Sequence, residues 1–195
     1  DLAPPQALVI HDGKPVEVNA LWLNALSVMA QFAEHLRLDA SIYQRLANQA
    51  RAGMQQFWSA DHGYLLDVIR PDGSGDASLR PNQLFAFSLP TCAFSRDQGE
   101  RVLSVVQERL LTPYGPRSLA PGSREYDGHY PGDSFHRDSV YHQGAVWPWL
   151  LGAYADALVN LHGLTPAVQA ELRERIQPLL QHLDRDAMLG SVSEI

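Results

Sequence analysis

The sequence contains a single cysteine, Cys92, so no internal disulfide bond can form. This usage is typical of a reducing compartment and predicts a cytoplasmic location. The sequence also lacks an apolar run long enough to span a bilayer, since the stretch around residues 145–151 is short and carries a proline. Its first residues have neither the basic start nor the apolar core of a signal peptide. We therefore expect no membrane partner.

Positive charge is also scarce. Lysine and arginine number 15 against 22 aspartate and glutamate residues, which gives a formal net charge of −7, and no basic run is present. Binding to a phosphate backbone requires the opposite balance, so we expect no nucleic-acid partner. The length of 195 residues suits a single domain over residues 1–195. Because the chain starts with Asp1 and ends inside a helical pattern, it is expected to be a piece of a longer protein.

Several familiar catalytic motifs are missing as well. The sequence has no glycine-rich phosphate loop, no HExxH and no Cys-x-x-Cys. Ser118 and Ser193 lack a nucleophile elbow, and His129, His136 and His142 lack the spacing of metal ligands. We therefore expect neither a metal nor an organic cofactor. Hydrolysis by two carboxyl groups, as in glycosidases, is not excluded.

Apolar residues recur at steps of three and four along most of the chain, which predicts amphipathic helices. The predicted helices cover residues 16–36, 41–58, 82–89, 97–111, 139–161 and 166–183. Strand candidates are few and short, mainly residues 64–69. The predicted fold class is all-α, an array of helical hairpins. The long connection over residues 112–139 is expected to be functional.

The densest group of reactive side chains is the segment RDSVYHQGAVWPW, residues 137–149. It places Arg, Asp, His, Gln and two Trp near a predicted helix start, where free N–H groups suit an oxygen-rich ligand. Tryptophan faces pack against the C–H face of sugar rings, while the polar groups bind hydroxyls. The alternative is structural: Trp147 and Trp149 in the core, and Arg137 with Asp138 as an ion pair.

Two further polar groups precede or begin helices. The segment RPNQ at residues 80–83 follows a loop, although Asn82 could be only a helix cap. The segment GKPVEVNALWLN at residues 13–24 places Glu17, Asn19 and Asn24 beside Trp22, although Glu17 could be there only for the helix dipole. In a ring of helical hairpins the starts of alternate helices open at one end. We therefore expect these three segments to assemble one pocket.

The same segments resemble the C-terminal glucosidase domain of glycogen debranching enzymes, the amylo-α-1,6-glucosidase family. In the resemblance the segment that starts at residue 137 continues as LLGAYADA to residue 157. The resemblance also includes LTPYG at residues 111–115, RSL at residues 117–119, the segment 126–130 and a terminal GSVSEI at residues 190–195. It runs in order along essentially the whole chain. It implies an (α/α)₆ barrel, of which the predicted helices are roughly half, and an upstream domain in the same polypeptide.

The resemblance implies inverting hydrolysis of the α-1,6-linked glucose at branch points of glycogen or limit dextrin. Glu194 matches the general base of the family. The general acid of the family lies in a Trp-Met-Asp segment that this chain lacks, and Asp1, without those flanking residues, is not assigned that role. The isolated chain is therefore expected to have weak or no activity.

Ten residues are expected to line the sugar pocket, with Glu17 and Tyr141 as weaker candidates: Trp22, Asn24, Arg80, Asn82, Gln83, Arg137, Asp138, His142, Gln143 and Trp147. Two alternatives stay open. One is a related (α/α)₆ α-glucosidase of the trehalase or glucoamylase kind. The other is a non-catalytic glycan-binding fragment.

Overall fold

The computed structural model describes residues 12–129, 132–186 and 191–192. Seven α-helices account for most of this part: α1 (Val16–His35), α2 (Ser41–Met54), α3 (Phe85–Ser88), α4 (Arg96–Arg109), α5 (Ser134–Val140), α6 (Leu150–His162) and α7 (Pro166–Arg185). Within these ranges, no helix combines the length and the apolarity that crossing a bilayer requires. The helix-rich character that the sequence predicts is confirmed, while a closed barrel stays a prediction.

The segments between the helices contain short strands, which form three small antiparallel sheets. The strands are β1 (Lys14–Pro15), β2 (Trp58–Ser59), β3 (Tyr64–Leu65), β4 (Val68–Ile69), β5 (Gly75–Asp76), β6 (Leu111–Thr112) and β7 (Gly115–Pro116). Strand β4 lies between β1 and β5, β2 pairs with β3, and β6 pairs with β7. The extended segment predicted over residues 64–69 therefore splits, because its two halves pair with different sheets.

The first helices pack as the predicted antiparallel hairpin. Helix α1 begins directly after Pro15, whose fixed φ is compatible with a helix start. Helix α2 passes at Met54 into a 3₁₀ turn over Gln55–Phe57, which makes it shorter than predicted. The core between α1, α3, α4 and α6 is apolar, and its buried side chains include Leu23, Phe87, Val102, Tyr154 and Leu158.

The predicted fifth helix over residues 139–161 is wrong in its first half. The structure has the short α5 and then an irregular segment up to Trp149, after which α6 begins. Gly144 has a φ of +145° there, a backbone conformation that residues with a side chain rarely adopt. Pro148 lacks the N–H donor that a helical hydrogen bond requires. These two residues interrupt the helical pattern of apolar spacing.

Two other boundaries differ from the prediction. The segment predicted as a helix from Asn82 starts as a 3₁₀ turn over Pro81–Leu84 before α3. Helix α4 begins at Arg96, one residue before the predicted start, because Ser95 and Gln98 form a reciprocal capping box.

Helix α1 is apolar on two sides. Its buried side faces the core through residues such as Leu23 and Leu26. A second apolar stripe follows the opposite side, where the exposed fractions range from 41% to 58%. This stripe consists of Val18, Leu21, Trp22, Met29 and Phe32.

Candidate active site

A buried ion pair lies where β4 approaches the start of α1. Asp67 is 3% exposed and Arg80 is 6% exposed, and their side chains approach to 3.5 Å between Oδ2 and Nε. Oδ1 of Asp67 accepts a hydrogen bond of 2.8 Å from Nδ2 of Asn82. Both carboxylate oxygens therefore have cationic or amide partners, as a buried charge requires.

The guanidinium of Arg80 connects this ion pair to the RDSVYHQGAVWPW segment. Its Nη1 donates to the carbonyl oxygens of Ser118, at 3.1 Å, and of His142. Its Nη2 donates to Oε1 of Gln143 at 3.2 Å. The prediction that the RPNQ segment lies beside residues 142–143 is consistent with these contacts, because one side chain joins the two.

The two side-chain amides after Arg80 both have partners in the protein. Gln83 is 2% exposed; its Nε2 donates to the carbonyl of Arg80 at 3.0 Å, and its Oε1 accepts from the Leu65 amide at 3.2 Å. Asn82 lies inside the 3₁₀ turn, whose N-cap residue is Arg80, and its side chain donates to Asp67. The arrangement holds this segment against β3 and β4.

Five aromatic side chains gather at the start of α6, and we call them the aromatic cluster: Phe85, Tyr141, His142, Trp147 and Trp149. The rings of Trp147 and Trp149 stack with centroids 6.1 Å apart at 25°. Trp149 is 62% exposed, so one indole of the stack is available to a ligand. An exposed indole face supported by a second ring is suited to packing against a sugar.

Three polar atoms of the predicted segments are buried without a hydrogen-bond partner among the residues that the structure describes. They are Oε2 of Glu17, Oδ1 of Asn24 and Nε1 of Trp147. Burial raises the pKa of the Glu17 carboxyl, the negative charge of Asp67 raises it further, and Arg80 acts in the opposite direction. A buried carboxyl with a raised pKa and unused hydrogen-bonding capacity is a frequent feature of functional sites.

The other predicted pocket residues lie apart from this centre or at its rim. Arg137 and Asp138 are exposed on α5, and Arg137 donates to the carbonyl of Gly132 at 2.7 Å. Trp22 is 56% exposed and lines a groove of about 260 Å³ between α1 and α2. No residue of the RPNQ or RDSVYHQGAVWPW segments lines that groove.

Glu194, the predicted general base, lies outside the described residues. Within the residues that the structure describes, no group of three or more His, Cys, Asp or Glu is arranged to hold a metal ion.

Sequence reasoning missed two parts of this site. Asp67 lies inside an apolar strand segment and belongs to none of the motifs. A charged residue between two predicted buried segments could have drawn attention to it, because such residues are rarely buried without a partner. The sequence pattern around Phe85 indicates only an apolar core residue of a helix.

A separate groove of about 560 Å³ lies between α4, α6 and α7, at the opposite end of α6 from the aromatic cluster. Its wall contains a hydrogen-bonded group in which the Tyr154 hydroxyl donates to Glu171 at 2.8 Å and Gln107 donates to both. Burial raises the pKa of Tyr154 to about 12, so its hydroxyl stays a donor at neutral pH. This group connects three helices.

The fold is similar to that of solved glycoside hydrolases. Mannosylglycerate hydrolase of the GH63 family from Thermus thermophilus, in complex with Tris and D-glycerate, matches 88% of this chain and 38% of its own, with a TM-score of 0.68 at 14% identity. The same enzyme in complex with glucose matches 86% of this chain and 39% of its own, with a TM-score of 0.66 at 16% identity. The molecule therefore has a fold found in glycoside hydrolases.

The chain belongs to the amylo-α-1,6-glucosidase family, which it matches over residues 6–195. Glycogen debranching enzyme of Saccharomyces cerevisiae is 30% identical over 107 residues, 51% of this chain and 7% of the yeast protein. N,N'-diacetylchitobiose phosphorylase of Vibrio furnissii is 29% identical over 126 residues, 58% of this chain and 15% of that protein. The chain thus spans only a small part of these relatives.

Proposed function

We propose that this chain is part of a glucosidase that hydrolyses α-1,6-linked glucose at the branch points of glycogen or limit dextrin. The observation that carries the proposal is the family match over residues 6–195. The ion pair of Asp67 and Arg80 supports it, because this pair connects the start of α1, the RPNQ segment and residues 142–143. The partner is a branched α-glucan, and the single cysteine favours the cytoplasm.

In the proposed reaction one carboxylic acid protonates the bridging oxygen while a carboxylate activates water on the opposite face of the sugar. Inverting glycosidases hold these two groups about 6.5–9.5 Å apart to admit that water. Glu194 is the proposed base. The acid is expected from another part of the same polypeptide, so we expect the isolated chain to release little or no glucose.

The other pocket residues have proposed roles that follow from their positions. The exposed Trp149, stacked on Trp147, offers a face for a glucose ring. Glu17 and Asn24 have buried oxygens that lack a partner in the part of the chain that the structure describes, and sugar hydroxyls are suitable donors to them. Arg137 and Asp138 are exposed and would contact the glucan from the side of α5.

The test is glucose release from limit dextrin by the full-length polypeptide and by its Glu194→Gln variant. Glu174→Gln on the exposed side of α7 is the matched control. We expect the wild type and the control to release glucose and Glu194→Gln to lose nearly all activity with its fold retained. Full activity in Glu194→Gln would contradict the assignment of the base.

A second candidate is a related glycosidase that acts on another glycoside, and the likeness to the mannosylglycerate hydrolase fold favours keeping it. Trehalose and maltose, assayed beside limit dextrin, separate the two. Glucose from limit dextrin alone supports debranching, whereas glucose from a disaccharide alone supports the second candidate. Glucan binding without release from any substrate by the full-length polypeptide would indicate a binding module.

A further inference from the structure

Asp67 belongs to none of the motifs, yet it connects several parts of the candidate site. Its side chain binds Arg80 and Asn82, as described above. Its backbone carbonyl accepts a hydrogen bond of 2.9 Å from the amide of Val16, the first residue of α1. Its backbone amide donates to the carbonyl of Asp76 in β5 at 2.8 Å. One buried residue thus ties the start of α1 to the β4–β5 hairpin and to the RPNQ segment.

Arg80 extends this connection to the segment that carries the aromatic cluster. Nε faces Asp67, while Nη1 and Nη2 are used by Ser118, His142 and Gln143. Gly144, next to Gln143, is fixed independently because its amide donates to Oγ of Ser118 at 2.9 Å. Since a guanidinium is planar and always charged, its orientation sets where these carbonyls lie relative to Asp67.

Glu17 differs from these two residues in its hydrogen bonding. It lies in the first turn of α1, next to the residue whose amide Asp67 holds. Its Oε2 is buried and has no hydrogen-bond partner within the described ranges of the chain. The charges that act on its carboxyl are those of Asp67 and Arg80. Of the three charged side chains, Glu17 is therefore the one with a buried oxygen left for a ligand.

Resting on the function proposed above, we propose that Asp67 is a positioning residue for the sugar site. Through the Val16 amide and through Arg80, it holds the start of α1 against residues 142–143, so that Glu17 presents its unpartnered oxygen to a sugar hydroxyl. Arg80 then acts from behind the pocket wall, because protein atoms already use its Nε, Nη1 and Nη2.

The first experiment needs no sugar. The carboxyl of Glu17 is titrated by NMR in the 195-residue chain with ¹³C-labelled glutamate, with Glu17→Gln identifying its signal. In Asp67→Asn a negative charge disappears and the charge of Arg80 is no longer neutralised, so the pKa of Glu17 is expected to fall. Asp72→Asn, in the exposed turn of the same hairpin, is the matched control and should leave the titration unchanged. An unchanged Glu17 titration in Asp67→Asn would overturn the proposal.

The second experiment measures KM and kcat for glucose release from limit dextrin by the full-length polypeptide. Asp67→Asn is expected to lower kcat/KM about tenfold or more, the effect of one strong hydrogen bond to a displaced group. The pH at which kcat/KM changes should also move to lower values. A loss of activity without a shift in the pH profile would mean that Asp67 is structural only, and would overturn the proposal.

Asn82→Ala serves if Asp67→Asn does not fold. It removes one hydrogen bond from Asp67 and keeps the charge, so we expect a higher KM with an unchanged Glu17 titration. An unchanged KM in that variant would count against the proposal. If the wild type releases no glucose from any substrate, the proposed function fails, and the Glu17 titration still decides whether Asp67 controls this carboxyl.

Discussion

Two arginines with the same predicted role occupy opposite environments. Arg80 directly precedes a 3₁₀ turn, Arg137 lies in the last turn of the short α5, and both were expected to bind sugar. Arg80 is 6% exposed and has bonded protein partners on three chain segments, whereas Arg137 is exposed and has one bonded carbonyl. The difference shows that arginines of two similar polar motifs can be buried among protein partners or left exposed to solvent. Burial of the side chain, which a motif does not reveal, decides between the two.

The largest effect is expected from Arg80→Ala. Removing the guanidinium leaves the Asp67 carboxylate buried without its cation, which typically costs about 3–5 kcal/mol. The free energy of unfolding, measured by urea denaturation of the 195-residue chain, should fall by about that amount. A decrease in the free energy of unfolding of less than about 1 kcal/mol would mean that the ion pair is hydrated in solution. Arg80 would then not differ from Arg137 in its contribution to stability.

Gly144→Ala is expected to have the next largest effect. The φ of Gly144 is +145°, and an added Cβ would lie 2.6 Å from the carbonyl of Asp127 and from the ring of Tyr126. Strain and overpacking of this kind cost about 1–3 kcal/mol. Gly152→Ala is the matched control, since nothing lies within 4 Å of its Cβ in α6, and it should stabilise the helix by about 0.5–1 kcal/mol. Equal urea midpoints for the two variants would show that the backbone of residues 142–144 can rearrange at no cost. These residues would then not be a rigid partner of Arg80.

Glu17→Gln tests the electrostatics beside the buried arginine. Because the pKa of Glu17 is raised in the folded state, its carboxyl favours folding at low pH, and this contribution is lost as the pH rises through the folded pKa. The variant should therefore be more stable than the wild type at pH 7, and the difference should shrink toward pH 4. Urea midpoints across this range measure it, with Glu174→Gln as the control for losing one exposed carboxylate. A difference that grows toward pH 4 would contradict the sign.

The smallest effect on stability is expected from Arg137→Ala. An exposed side chain with one hydrogen bond to Gly132 contributes within about 0.5 kcal/mol. In the full-length polypeptide the same variant should lose glucose release while its helical circular dichroism is kept. An unchanged rate of glucose release would exclude Arg137, the exposed one of the two arginines, from the site.

Much of the helical architecture could be predicted because apolar spacing reports burial directly. The predicted start of α1 at Val16 is confirmed, as are the starts of α2 at Ser41 and of α7 at Pro166. Spacing failed over residues 139–149, because Gly144 and Pro148 impose backbone conformations that override the apolar pattern. A helical repeat records which side chains face the core, and it says nothing about where the chain turns.

The site was predictable in its segments more than in its individual residues. The RPNQ and RDSVYHQGAVWPW segments are in contact through Arg80 and Gln143, while the sugar pocket that they were expected to form stays a prediction. The residue that joins them to α1 is Asp67, which stands among apolar residues and carries no motif. Its importance arises from contacts with residues such as Val16 and Arg80, 51 and 13 positions apart from it, and only the fold brings these together.

The apolar stripe on α1 has a practical consequence for handling the chain. A helix that is apolar on two sides is typical of the interior of a larger protein. In solution, the 195-residue chain should bind a hydrophobic dye along Val18, Leu21 and Phe32, and its elution volume on size exclusion should decrease with concentration. Leu21→Glu should reduce both the dye fluorescence and the association. Purification of the chain alone will therefore require low concentration or a solubilising additive.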